Sequence, residues 1–170
     1  MSKKILVTGG AGFIGSHTCI ELLNNGNEVV VVDNLYNANK KSLEVVEKVT
    51  GKKVTFYEVD VRDEEKLNEV FETEKDIFGV IHFAGLKAVG ESCEIPLVYY
   101  DNNIAGTTTL FRVMERNNCK NIIFSSSATV YGSPHTLPIK EDFPLSVTNP
   151  YGRTKLITED ILKDVYTADN

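Results

Sequence analysis

Three cysteines, three histidines and no excess of positive charge set the first limits on this chain of 170 residues. Cys19, Cys93 and Cys119 are far apart and odd in number, and no C-x-x-C pair occurs. A disulfide framework is therefore excluded, and buried, reduced thiols of a cytoplasmic protein are expected. No His/Cys/Asp cluster has ligand spacing, so no metal is expected. His17 and His82 read as packing or capping residues, His82 within an apolar strand, and His135 as a surface residue in a proline-rich loop. The formal net charge of -6 argues against nucleic acid and against anionic membrane surfaces, both of which ask for a basic face. No apolar run approaches the ~20 residues of a membrane span. Met1-Ser2-Lys3-Lys4 leads straight into a strand, so no signal peptide is expected. Internal repeats, linkers and low-complexity stretches are also missing, which leaves one domain of 1–170 with a substantial core.

What is present is organised around Thr8-Gly9-Gly10-Ala11-Gly12-Phe13-Ile14-Gly15. An apolar strand signal, 4–8, leads in, and a helix signal from about Gly12 to Asn24 leads out, stopped by Asn25-Gly26. Glycines at 9, 12 and 15 let the backbone turn sharply and approach a diphosphate. The helix start offers free N–H groups to the same anion. Residues 28–33 are a continuous β-branched strand, as expected when both faces are buried. Asp33 ends it, 18 residues past Gly15, where an acid takes ribose hydroxyls and disfavours a 2′-phosphate. Lys40 and Lys41 are not far, but the acid favours NAD over NADP.

The rest alternates. A helix is expected over 40–49, a strand over 54–59, a helix opened by Asp63-Glu64-Glu65 with Leu67, Val70 and Phe71 inward, and a strand over 77–83. Glu64, Glu65 and the charges of 72–76 read as solvated helix ends. One long helix is expected from Pro96 to Asn117, a fifth strand over 121–124, and a surface loop over 131–149. Asn149 and Pro150 open a last helix, with Leu156, Ile157, Ile161, Leu162 and Val165 as its apolar face. Five strand–helix alternations predict an α/β, doubly wound parallel sheet, the three-layer α/β/α Rossmann fold, in the order 3-2-1-4-5. The glycine loop, Asp33, Asp60, Phe83-Ala84-Gly85 and Ser125–Ser127 then all fall at strand carboxyl ends.

Tyr151 and Lys155 stand four residues apart, on one helix face. Free tyrosine ionises near pH 10 and is a poor base at neutrality; an adjacent ammonium stabilises its phenolate. With Ser127 holding the same substrate oxygen, the trio suits reversible proton removal from a secondary alcohol as a hydride leaves its carbon.

Together, the glycine fingerprint, Ser127 and the Tyr151/Lys155 pair resemble the extended short-chain dehydrogenase/reductase superfamily. Three further stretches, 83–92, Tyr99-Tyr100-Asp101-Asn102-Asn103 and Phe124 to Gly132, resemble its nucleotide-sugar 4-epimerases. The resemblance covers the whole chain. It implies that Gly9, Gly12, Phe13, Ile14 and Gly15 hold a pyrophosphate, Asp33 and Asn34 the adenosine ribose, and Asp60 with Val61 the adenine. It sets Phe83, Ala84, Gly85, Lys87, Asn102 and Ser125 along the cofactor, with Lys87, Ser127 and Tyr151 toward the sugar. Tyr151 is implied to be the base, with Lys155 modifying it and binding a ribose.

The implied reaction interconverts UDP-galactose and UDP-glucose by transient oxidation at C4 with retained NAD. Such enzymes continue for about as long again, adding a sixth strand and a domain that binds the UDP-sugar, and a homodimer is implied. Binding of NAD with little turnover is therefore expected of residues 1–170 alone. A dehydratase or reductase on the same scaffold is an alternative, disfavoured because Ala128-Thr129-Val130 holds no acid pair. A non-catalytic dinucleotide module is the other, opposed by the intact trio.

Overall fold

A computed structural model describes residues 2–168. The chain divides into two compact units. The first takes residues up to Ala84 together with Thr108–Ser125, and the second takes Gly85–Thr107 and residues from Ser126 onward.

The first unit is a five-stranded, wholly parallel sheet: β1 (Lys4–Thr8), β2 (Glu28–Asp33), β3 (Thr55–Glu58), β4 (Ile77–His82) and β5 (Ile122–Phe124). Its order is β3-β2-β1-β4-β5, as the alternation predicts. The β-branched run of β2 serves both faces. Val29 and Val31 join Val7 in one core with Cys19 and Leu23 of α1 (Phe13–Asn24) and Leu43 and Val46 of α2 (Lys41–Thr50). Val30 and Val32 join Leu6 in the other. That core holds Leu67, Val70 and Phe71 of α3 (Glu64–Glu74) and Leu110, Val113 and Met114 from a later helix. Period-two alternation along a strand whose two faces are both covered gives three layers.

Helix ends follow local chemistry. Gly51 closes α2 at φ +67°, its N–H donating to Glu47 O at 2.8 Å. Asp63 caps α3 by accepting the Lys66 N–H, with Glu64 and Glu65 in the first turn. Two expected solvated acids are partnered instead. Glu64 receives Arg112 at 3.0 Å and Arg116 at 2.8 Å, which holds its carboxyl below the usual range. Glu74 pairs with Lys4 and accepts the Tyr57 hydroxyl. These partners lie far off in sequence, so local pattern does not show them.

The expected helix from Pro96 to Asn117 is not continuous. A separate α4 (Val89–Glu94) precedes α5 (Pro96–Tyr100), and a π-helical turn, Asp101–Ala105, separates α5 from α6 (Gly106–Arg116). There the Gly106 N–H reaches back five residues to Asp101 O, while the Thr107 hydroxyl takes Asn103 O at 2.6 Å. A side chain competing for a ladder carbonyl is a recognised cause of such turns. α4 also overturns the expectation of three buried thiols. Cys19 and Cys119 are buried, whereas Cys93 on α4 is exposed. Among the described residues no helix is long and apolar enough to cross a membrane.

Ser127 caps a short 3₁₀ turn, Ala128–Tyr131, and the loop to residue 149 follows. α7 (Pro150–Ala168) starts as expected, with Asn149 Oδ1 accepting the Gly152 N–H at 2.8 Å. Its buried face is not the expected aliphatic one. Tyr151, Thr154, Lys155 and Thr158 are buried, whereas Leu156, Ile157, Ile161 and Leu162 are half-buried and Val165 is 48% exposed. The stripe at 151, 154, 155 and 158 has helical spacing, and it faces α4 and α5.

Candidate active site

The residues singled out in the sequence fall into two constellations, one in each unit. The first is a cradle at the carboxyl end of β1. Gly9 sits at φ +69°, and a Cβ there would meet Ala84 N at 2.7 Å. A Cβ on Gly15 would lie 2.3 Å from Gly9 O. The loop and helix start are therefore pressed together, and α1 begins without any side-chain cap or first-turn acid. Its positive end suits an anion. Phe13 and Ile14, in its first turn, are 77% and 54% exposed. Gly15→Ala is expected to cost on the order of 1–3 kcal/mol and to abolish dinucleotide binding. Urea unfolding and a cofactor titration check both.

Asp33 is buried and holds the loop itself: Oδ2 accepts the Ala11 N–H at 3.1 Å, and Oδ1 the Leu35 N–H at 2.9 Å. The Ser42 hydroxyl takes Ala11 O from the other side at 2.7 Å. Asn34 is exposed and donates to Asp60 Oδ2 at 3.0 Å. The Arg62 guanidinium grips the same carboxylate at 3.0 and 2.7 Å and holds it well below the usual carboxyl range. Val61 has its side chain in the core, so only its backbone can meet a ligand. Phe83 and Ala84 are half-buried after β4, and the Ser125 N–H continues the sheet pairing to His82 O. His82 is a satisfied core histidine, as expected, with Nδ1 2.6 Å from Thr8 Oγ1.

The second constellation surrounds the start of α7. Tyr151 is buried with Leu86 and Tyr99, and its N–H donates to Ser92 Oγ at 3.2 Å. Lys155 follows one turn on, Nζ 5.9 Å from the Tyr151 ring centroid. Burial pushes its ammonium down to about 8. Ser127 Oγ accepts the Thr129 N–H and hydroxyl, at 3.2 and 2.9 Å. A Cβ on Gly152 would lie 3.2 Å from Thr129 O, so the 3₁₀ turn bearing Ser127 abuts the helix turn bearing Tyr151. Ser127, Tyr151 and Lys155 thus share one neighbourhood of the fold. Gly85 is close too: its Cβ would lie 3.8 Å from Lys155 Nζ. Lys87 is exposed, and Asn102 donates to Asn103 Oδ1 at 2.9 Å.

Residues 5–170 match the NAD dependent epimerase/dehydratase family. The chain belongs to that family.

It is 62% identical over 166 residues to UDP-glucose 4-epimerase of Bacillus subtilis, covering 98% of this chain and 49% of that protein. It is 59% identical over 169 residues to the enzyme of Dictyostelium discoideum, covering 99% and 49%. Among solved structures, UDP-glucose 4-epimerase of Bifidobacterium longum, a complex with NAD+ and UDP, superposes with a TM-score of 0.95 at 57% identity, over 98% of this chain and 50% of that one. The chain spans about half the length of the curated relatives it matches.

Three residues of this family member were not singled out by sequence reasoning. Asn103 is buried; it accepts the Leu86 N–H and donates to Leu86 O and Thr154 Oγ1, tying the π turn to α7. Ser92 caps the Tyr151 N–H, and Ser42 fixes the glycine loop. Each is an ordinary polar residue whose partner lies 17 or more positions away. Asn103, in the 99–103 stretch, and Ser92, at the end of the 83–92 stretch, stood within motifs; Ser42 did not.

Proposed function

We propose that this chain is the cofactor-binding half of a UDP-glucose 4-epimerase, interconverting UDP-galactose and UDP-glucose. The observation that carries this reading is the buried start of α7, where Tyr151, Lys155 and the Ser127 turn are gathered beside one another. The relatives' shared name supports the choice of reaction.

An NAD molecule fits the residues present. The uncapped start of α1 and the cradle at Gly9, Gly12 and Gly15 suit its pyrophosphate. Asp33 and Asn34 would take the adenosine ribose, and Asp60 and the Val61 backbone the adenine. Phe83, Ala84, Gly85, Lys87, Asn102 and Ser125 would line the remainder. When bound, NAD supplies the acceptor for the C4 hydride and its return.

The chain's own residues handle the proton. Lys155, largely an ammonium at neutral pH, stabilises the phenolate form of Tyr151, which takes the proton from the sugar 4-hydroxyl and becomes the phenol as the hydride leaves C4. Ser127 Oγ already accepts two hydrogen bonds, which leaves its own hydrogen to donate to the 4-oxygen. Lys87 would serve the ribose and sugar side. The reading also makes the full-length protein a cytoplasmic homodimer. Leu97 at 80% exposure and Tyr166 at 71% put uncovered apolar surface on α5 and α7, which supports the pairing.

The test is UDP-galactose conversion by the full-length protein, with mass spectrometry of the denatured protein for NAD or NADH. Equimolar nucleotide and conversion to UDP-glucose are expected. Dehydration, or consumption of added cofactor, would instead indicate a dehydratase or reductase.

A further inference from the structure

The segment that carries Lys87 is held on both sides by side chains of the second unit. Before it, Leu86 is read twice by Asn103: its N–H donates to Oδ1 at 2.8 Å, and its carbonyl accepts from Nδ2 at 2.9 Å. After it, the Ala88 N–H donates to the Tyr99 hydroxyl at 3.0 Å, and Ala88 O accepts the Ser92 N–H at 3.0 Å. Lys87 itself is exposed between these two anchored peptides.

Tyr99 is fully buried, in a cluster with Leu86 and Tyr151. Its hydroxyl donates to Glu91 Oε2 at 2.6 Å. A phenol that donates to a carboxylate is polarised, and its oxygen becomes a stronger acceptor for the amide it holds. Glu91 therefore acts through Tyr99, and Tyr99 acts on the peptide next to Lys87.

We infer that Tyr99 and Glu91 are positioning residues for the reaction: they fix the 86–88 segment so that Lys87 is presented in one orientation to the cofactor and sugar. This rests on the reading of Lys87 under Proposed function. The gain is entropic. Lysine has a long, mobile side chain, and anchoring its backbone removes part of the ordering cost from the bound state.

The experiment compares Tyr99→Phe, Glu91→Gln, Lys87→Met and the Tyr99→Phe/Lys87→Met pair in the full-length protein. Tyr99→Phe keeps the ring and its packing. Its kcat is expected to fall roughly tenfold with equimolar NAD retained. Glu91→Gln keeps an acceptor for the phenol and is expected to stay within about threefold of the parent. Once Lys87 is gone, the anchor has nothing left to position. The pair should therefore lie within about twofold of Lys87→Met alone, the non-additivity of groups acting as a unit. A merely structural role predicts additive losses, and additive losses would overturn the inference, as would full activity of Tyr99→Phe.

Hydrogen exchange at the Ala88 amide reads the anchor without turnover. It should quicken at least tenfold in Tyr99→Phe, and an unchanged rate overturns the anchor. Unimpaired turnover in Lys87→Met, or a parent protein inert toward UDP-galactose, overturns the functional reading instead, with the exchange result still deciding the anchor.

Discussion

Replacing Tyr151 with Phe in the full-length protein is expected to cut UDP-galactose conversion roughly a thousandfold while NAD stays bound. The substitution removes one oxygen and no packing. The ring remains among Leu86 and Tyr99, and the contact that seats the helix start, from the Tyr151 N–H to Ser92 Oγ, is made by backbone. The glycine cradle and Asp33 lie in the other unit and keep their bonds to Ala11 and Leu35. Unfolding should shift little, so lost turnover reports lost proton transfer. Turnover assay and nucleotide content, measured on one preparation, check this. Activity within tenfold of the parent would remove Tyr151 from the role of base.

Lys155→Met carries the second large effect, and its two parts have opposite signs. Activity is expected to fall a hundredfold or more, because no ammonium remains beside the phenol. Stability of the cofactor-stripped protein is expected to rise. Lys155 is 7% exposed and burial pushes its ammonium down to about 8, against 10.5 for a free side chain. Between these values the unfolded chain binds more protons than the folded one, so stability climbs as pH rises from about 8 to about 10.5. Below pH 8 the cost of burying the charge is fully present, and it is ~3 kcal/mol. Methionine fills similar space without the charge. The variant should therefore be more stable than the parent by that order at pH 7, with the difference shrinking toward zero above pH 10.5. Urea unfolding at pH 7 and pH 10.5 measures it. A destabilised Met variant at pH 7 would show that the Lys155 contacts outweigh the buried charge. A residue that costs stability is the trade expected at a proposed reaction centre.

How far sequence reading reached differs between the two units. In the sheet unit it reached nearly everything: strand order, the helix end at Gly26, the acidic opening of α3 and the inward face of α3. Those features rest on interactions within a few residues, or on period-two and 3.6 patterns that any buried strand or helix must show. The Glu64 and Glu74 ion pairs escaped because their partners are 48 to 70 residues away. In the second unit the reading singled out Ser127, Tyr151 and Lys155 but misjudged what surrounds them. α4 was not expected at all, and the expected single helix from Pro96 hid the π turn. Composition gave no sign that Asn103 would spend its side chain on Leu86 and Thr154. On α7 the aliphatic stripe looked like the buried face, yet the buried stripe is Tyr151, Thr154, Lys155 and Thr158. Amphipathic patterns report which side chains prefer burial. They do not report which face the rest of the fold covers.

The amino-acid sequence by itself determined the dinucleotide fold and singled out the groups proposed to react. A glycine-spaced turn, an acid 18 residues on and a Tyr/Lys pair one helix turn apart are local facts, written in consecutive residues. Tertiary structure alone decided the environment of those groups: Lys155 driven down by burial, Asp33 bonded to the glycine loop, and the Lys87 segment anchored by Asn103 and Tyr99. Burial and long-range hydrogen bonds arise only when distant segments meet, and the strength of a buried charge or amide depends on what has replaced its water.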